Sequence, residues 1–244
     1  MIVYKILYAV TLIIQLIFVP KFLKAAWPDI CSKSRTYKMI CSTAFICTGL
    51  ASIQISGNSG AYAKFIMIAL IFSWFGDLFL HIDDSVKFFI FGALSFLIGH
   101  IFYIKAYLNA QNNLLGSSTL LSTAEIISIA AVLLVVSLIL FVALKLRPGV
   151  LTAPISIYAV ALCTMFVKAV FLSIGIIRAG SSVENGTAAA LLLTVGAALF
   201  VVSDATLAVI TCDEKRDTFK LKVVNIATYF AAQVLLASTI MCIK

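Results

Sequence analysis

Two aspartates, Asp77 and Asp204, stand inside long apolar runs, and so do His100 and Lys168. An ionisable group at bilayer depth costs roughly 2.5–3.5 kcal/mol on insertion scales, so each needs a partner or a task. Two carboxylates in one low-dielectric cavity separate their ionisation, one holding a proton while the other stays charged. That division suits general acid chemistry, in which one group protonates the substrate and the other steadies the resulting cation or activates water. The strings around the pair are alike, Phe75-Gly76-Asp77-Leu78 against Val202-Ser203-Asp204-Ala205, and the small Gly76 and Ser203 let other helices come close. Asp77 lies four residues before His81 and Asp204 seven before Thr211, each near the same end of its run. At about 1.5 Å per residue, both sit roughly 5–12 Å below one membrane face. By the same count His100 lies about 20 Å in, deeper than the aspartates, with Lys168 at similar depth.

Each of these groups also has a structural alternative. Either aspartate could be the partner of Lys168, and His100 could be a hydrogen-bonded packing residue. Lys168 could serve as a cavity counter-ion or pair with a carbonyl. Glu125, at an outer helix end, is expected to be solvated, and His81, Asp83 and Asp84 to form the polar mouth of a loop.

Polar stripes at helical spacing accompany the charged groups: Ser73, Asp77 and His81; His100, Tyr103 and Tyr107; Asn225, Tyr229 and Gln233; and Tyr4, Tyr8, Thr11 and Gln15. Facing inward, they line a polar cavity within an apolar shell. Equally, they serve as hydrogen-bond glue between helices.

The elements that position these residues follow from composition. The chain has 244 residues, of which 63% are hydrophobic and 11% charged, with a mean hydropathy of +1.13. That is too little charge to wet a soluble domain. About 20 apolar residues cross a bilayer, and eight runs qualify: Ile2–Val19, Met39–Ser56, Lys64–Leu80, Phe88–Leu108, Thr123–Leu144, Val150–Ile177, Thr187–Ile210 and Val223–Ile243. Breaks between them fall at Trp27-Pro28-Asp29, Ser56-Gly57-Asn58-Ser59-Gly60, Asp83-Asp84, Gln111-Asn112-Asn113, Arg147-Pro148-Gly149, Ser181-Ser182 and Asp213-Glu214. Pro154 kinks the sixth helix or moves its start. The expected architecture is an all-α integral membrane bundle of about eight transmembrane helices, one domain over residues 1–244. The likeness of the two aspartate strings, four helices apart, hints at a duplicated four-helix unit in parallel orientation.

The first run lacks a strong basic flank and a small-residue cleavage site, so it reads as a retained span. Six cysteines show no CxxC spacing and fall mostly in apolar runs, where they act as small hydrophobes. No metal ligand set and no cofactor motif stand out.

Loop charge sets the expected orientation. The odd-numbered loops carry Lys21, Lys24, Lys33, Arg35, Lys38, Lys87, Lys145, Arg147, Lys215, Arg216, Lys220 and Lys222, against Lys5, Lys64, Lys105, Arg178 and Lys244 on the other side. The excess puts those loops in the cytoplasm and both termini outside it. The net charge of +8 is then mainly a topology signal, with anionic headgroups as its natural partners, and nothing resembles a nucleic-acid module.

Ser73-Trp74-Phe75-Gly76-Asp77-Leu78-Phe79-Leu80, Gly99-His100-Ile101-Phe102-Tyr103 and the stretch Gly196 to Ala208 around Asp204, in this order and with the Tyr229…Gln233 stripe, resemble the YhhN family of membrane proteins. The resemblance covers essentially the whole chain, most firmly from Met39 onward. Its characterised members are lysoplasmalogenases, which hydrolyse the vinyl ether of 1-alkenyl lysophospholipids to a fatty aldehyde and glycerophospho-ethanolamine or -choline. The resemblance therefore implies a lysophospholipid substrate, no metal, and Asp77 and Asp204 as the catalytic carboxylates. Ser73, His100, Tyr103, Lys168, Ser203, Tyr229 and Gln233 are expected around them, and Lys87, Lys215 and Arg216 at the rim are candidates for the phosphate. A bacterial member would occupy the inner membrane and a eukaryotic one the endoplasmic reticulum. Two histidines are too few for a zinc-dependent membrane amidase. The remaining alternative is a proton-coupled transporter or lipid-binding protein, with the two aspartates as proton carriers.

Overall fold

The computed structural model describes residues 1–28, 30–83, 85–180 and 185–243, apart from the side chain of Glu214. Among the described residues eight helices are long and apolar enough to cross a membrane, and there is no strand. They are α1 (Ile2–Ala25), α2 (Ser32–Ser56), α3 (Ala61–Phe79), α4 (Val86–Leu115), α5 (Thr123–Ser137), α6 (Thr152–Ala179), α7 (Gly186–Cys212) and α8 (Phe219–Ser238). A π-helical turn, Leu138–Ala143, prolongs α5, and a short 3-10 turn, Thr239–Met241, ends α8. The molecule is an integral membrane helical bundle. The breaks expected at Asp29, Asp84 and Ser181-Ser182 lie outside the described residues, as does Lys244.

Helix ends depart from the apolar runs where capping chemistry outweighs hydropathy. α2 begins at Ser32 rather than Met39 because Cys31 and Ser34 cap it reciprocally: Cys31 N–H donates to Ser34 Oγ at 2.9 Å and Ser34 N–H to Cys31 Sγ at 3.4 Å. α1 continues through Pro20 to Ala25. α4 runs straight through Gln111, Asn112 and Asn113 and stops at Gly116, whose φ of 64° ends the helix in the left-handed region. Pro154 falls in the first turn of α6, where its missing N–H has no partner to lose, so it neither kinks nor delays the helix. The 30 residues of α4 span about 45 Å, beyond the roughly 30 Å of a hydrocarbon core.

Neighbouring helices close a ring in the order α1, α2, α3, α4, α6, α7, α8, with α8 returning against α2 and α1. α5 stands outside this ring against α6, and Glu125 is its one buried residue. The packing repeats between halves: α2 meets α3 and α8 as α6 meets α7 and α4. The parallel stops at α1 and α5, since α1 lies in the ring and α5 outside it. α3 and α4 approach closely at Gly76, where a Cβ would stand 2.5 Å from the Phe96 ring, so Phe96 packs on the residue that precedes Asp77.

Candidate active site

Asp77 is 1% exposed and fully engaged. Lys38 Nζ lies 3.1 Å from Oδ1, while Ser42 Oγ and Tyr229 Oη donate to Oδ2 at 2.6 and 2.7 Å. The partner of Asp77 is therefore Lys38 of α2, not Lys168. Lys38 counts among the loop cations only if α2 starts at Met39; in the capped helix it is a buried side chain. Lys38 Nζ also donates to His81 Nδ1 at 3.2 Å. Burial, reinforced by the charges of Lys38, Arg35 and Lys222, pushes the His81 imidazole down to about 2, so it stays neutral and accepts. Arg35 holds the same turn by donating to the His81 and Ile82 carbonyls at 2.6 and 2.9 Å. His81 is thus a buried brace rather than part of an open loop mouth.

Asp204 has a different setting. Its side chain is 10% exposed, Tyr158 Oη donates to its Oδ2, and His100 Nε2 lies 3.6 Å from the same oxygen. Tyr158 Oη and His100 Nε2 are 2.9 Å apart, so the three groups form one cluster from α4, α6 and α7. His100 is accordingly level with Asp204 and not deeper. Counting residues from sequence breaks fails here because α4 and α7 are longer than the bilayer core is thick, so their ends do not mark the rim.

A narrow cleft of about 60 Å³ reaches Asp204. Its walls are Phe89, Phe96, Ile155 and Leu207, and it extends to Leu80 at the α3–α4 turn; Tyr158 and Asp204 supply its polar atoms. Asp77 does not line it. Between the two carboxylate clusters stand aromatic rings: Tyr229 meets Phe96 and Phe200 edge-on at 5.8 and 5.7 Å, and Phe200 meets His100 at 4.8 Å. The aspartates thus sit in adjoining compartments rather than together in one cavity.

The other candidate residues divide between the site and the scaffold. Tyr103 Oη donates to Gln233 Oε1 at 2.7 Å, joining α4 to α8 behind the rings. Ser73 is buried on the Asp77 face of α3. Ser203 accepts from Asn225 Nδ2 through its carbonyl at 2.8 Å and its Oγ at 3.1 Å, which pins α7 to α8. The α1 stripe is interhelical glue: Tyr8 bonds Ser238, Thr48 donates to Thr11, and Gln15 donates to the Cys41 carbonyl, while Tyr4 is exposed. Lys168 donates to Glu125 Oε1 and Gln111 Oε1, both at 2.7 Å. It is neither a partner of the aspartates nor a cavity counter-ion, and Glu125 is buried rather than solvated, because the Ser122 capping box turns it inward to meet Lys168. Lys87 and Lys215 are exposed, and Arg216 pairs with Asp213 at 3.1 Å. Among the described residues no three His, Cys, Asp or Glu side chains converge as a metal site.

Sequence reasoning missed Lys38, Ser42 and Tyr158. The lysine and serine lie four apart on one helix face, a readable signal once the true start of α2 is known. Tyr158, a lone tyrosine in an apolar run, carries no comparable mark.

No curated protein and no solved structure matches the chain. A family model does, described as the YhhN family, over residues 33–240. That stretch runs from the first turn of α2 to the end of α8 and includes both carboxylate clusters. With the order of these residues, the eight-helix bundle and a match over most of its length, the chain belongs to the YhhN family.

Proposed function

We infer that the protein hydrolyses the vinyl ether of 1-alkenyl lysophospholipids, releasing a fatty aldehyde and glycerophospho-ethanolamine or -choline. The observation that carries this reading is Asp204, a carboxyl group at the end of a cleft that is otherwise apolar apart from Tyr158. Vinyl ethers break by protonation of the β-carbon, which leaves an oxocarbenium ion that water captures as a hemiacetal. Asp204 is the acid in this scheme. Tyr158 occupies Oδ2, so the transferable proton sits on Oδ1. Asp77, held by Lys38, is a positioning carboxylate that fixes Tyr229 and, through it, the ring wall of the cleft.

In this reading the vinyl ether and water reach Asp204 through the cleft, whose lining is apolar apart from Tyr158 and Asp204. A lysolipid keeps its phosphate at the interface with the vinyl ether a few ångströms below. Lys87, Lys215 and Arg216 are the rim cations that would meet the phosphate, and the loop-charge excess argues for a rim in the cytoplasmic leaflet.

The test is aldehyde release from a 1-alkenyl lysophospholipid by purified protein in detergent. Release there supports hydrolysis. A folded protein that releases none, but moves protons or lipid only in sealed vesicles, would replace this reading with the transporter one.

A further inference from the structure

The two aspartate settings share a register. Ser42 Oγ of α2 and Tyr158 Oη of α6 each donate to Oδ2 of the aspartate on the helix that follows, Asp77 or Asp204. Tyr229 of α8 and His100 of α4 meet the same oxygens from the other half. One turn before these two, Asn225 bonds Ser203 and Phe96 packs on Gly76, the residues that precede Asp204 and Asp77. The settings differ one turn before the two hydroxyls. Four residues before Ser42 stands Lys38, whose Nζ lies 3.1 Å from Asp77 Oδ1. Four residues before Tyr158 stands Pro154, whose ring cannot reach as a lysine does. Residues four apart share a helix face, and Pro154 lines the cleft that reaches Asp204. The cleft therefore takes the place beside Asp204 that the Lys38 side chain fills beside Asp77.

We propose that Pro154 is a specificity-determining residue, and that the slot it leaves beside Asp204 receives a cationic centre, the oxocarbenium ion formed from the vinyl ether. The proposal rests on the vinyl ether reading. The Lys38–Asp77 pair shows what an aspartate in this setting holds: one positive charge at Oδ1, while hydroxyls hold Oδ2. The reaction makes such a charge. Asp204 gives its Oδ1 proton to the β-carbon, the alkene electron pair forms that C–H bond, and the ether oxygen shares a lone pair with the α-carbon. The oxocarbenium ion thus arises next to the carboxylate that the proton has just left. The cleft is apolar apart from Tyr158 and Asp204, so the attraction between the two charges is little screened. Neutral substrate gains nothing comparable before the proton moves, so the slot favours the transition state over the ground state.

The experiment measures binding and aldehyde release on the same purified protein in detergent. The binding probes are a 1-O-alkyl lysophospholipid and its analogue with a protonated secondary amine in place of the ether oxygen. Wild type should bind the amine about 10²-fold more tightly, the low end of the range for transition-state analogues, and Asp204→Asn should bind the two alike. Pro154→Lys sets a lysine where α2 has one. It should lose the preference for the amine and at least about 10²-fold in kcat, because an ammonium then holds the acid. Its Tm should not fall, since the first turn of a helix tolerates proline without requiring it. Ala153→Lys adds the same charge on the same turn, at an exposed position outside the cleft, and should behave as wild type. Equal binding of the two lipids by wild type, or a folded Pro154→Lys protein with wild-type turnover, overturns the proposal. Wild type that prefers the amine yet releases no aldehyde sinks the vinyl ether reading, and with it the oxocarbenium ion as the occupant of the slot.

Discussion

At the residue scale the two aspartates look equivalent on paper and are not equivalent in space. Asp77 is tied to Lys38, so an asparagine there would leave a buried ammonium without its counter-charge, at a cost of about 3–5 kcal/mol. Asp77→Asn should therefore lose folded protein before it reveals anything about catalysis. Replacing both partners, Asp77→Asn with Lys38→Met, removes the stranded charge, and exchanging a buried pair for neutral groups is often close to neutral in stability. The double variant should recover most of the thermal stability and, if Asp77 only positions Tyr229, a substantial part of the activity. A stable but inactive double variant would return Asp77 to the reacting groups. Both aspartates, His100 and Lys168 stood out in the sequence because ionisable groups are costly in a bilayer. Their partners did not, because pairing depends on how helices dock: Lys38 looks like a loop cation beside Met39, and Tyr158 looks like any core tyrosine.

At the element scale, α5 is held to the ring by one buried contact of note. Glu125 caps its own helix through Ser122 and reaches Lys168 of α6, which also binds Gln111 of α4. This pin ties α4, α5 and α6 together. Glu125→Gln would strand the Lys168 ammonium and should destabilise the protein by about 3–5 kcal/mol, seen as a lower Tm in detergent. The carboxylate clusters are elsewhere, so the surviving folded fraction should keep its specific activity. The eight spans were legible as hydropathy, whereas most of the boundaries that differ follow local chemistry: a Cys–Ser capping box, a glycine stop and a proline placed where no N–H is needed. The polar triplet Gln111-Asn112-Asn113 reads as a loop, yet Gln111 faces Lys168 and Ser117 within a continuing helix.

At the scale of the whole molecule the two halves treat their aspartates in parallel. Each aspartate is met by the preceding helix, α2 with Lys38 and Ser42 or α6 with Tyr158, and by a helix of the other half, α8 with Tyr229 or α4 with His100. One copy carries a cation and is closed; the other carries a phenol and an imidazole and opens to a cleft. The short string repeat marked the two aspartates as counterparts, but their different settings could be read only from packing. The charge bias, eleven loop cations to five once Lys38 is taken out of the count, still predicts both termini outside the cytoplasm. Accessibility of a cysteine or glycosylation tag at either terminus should report the non-cytoplasmic side. A cytoplasmic terminus would put the cleft in the opposite leaflet.

The most direct test of the central claim compares wild type with Asp204→Asn for aldehyde release from a 1-alkenyl lysophospholipid in detergent, with thermal unfolding measured alongside. Asp204 has no lysine partner among the described residues, so the asparagine variant should fold with nearly unchanged Tm. It should lose at least about 10²-fold in kcat, the scale of a general acid. Near wild-type aldehyde release from folded Asp204→Asn would contradict the account.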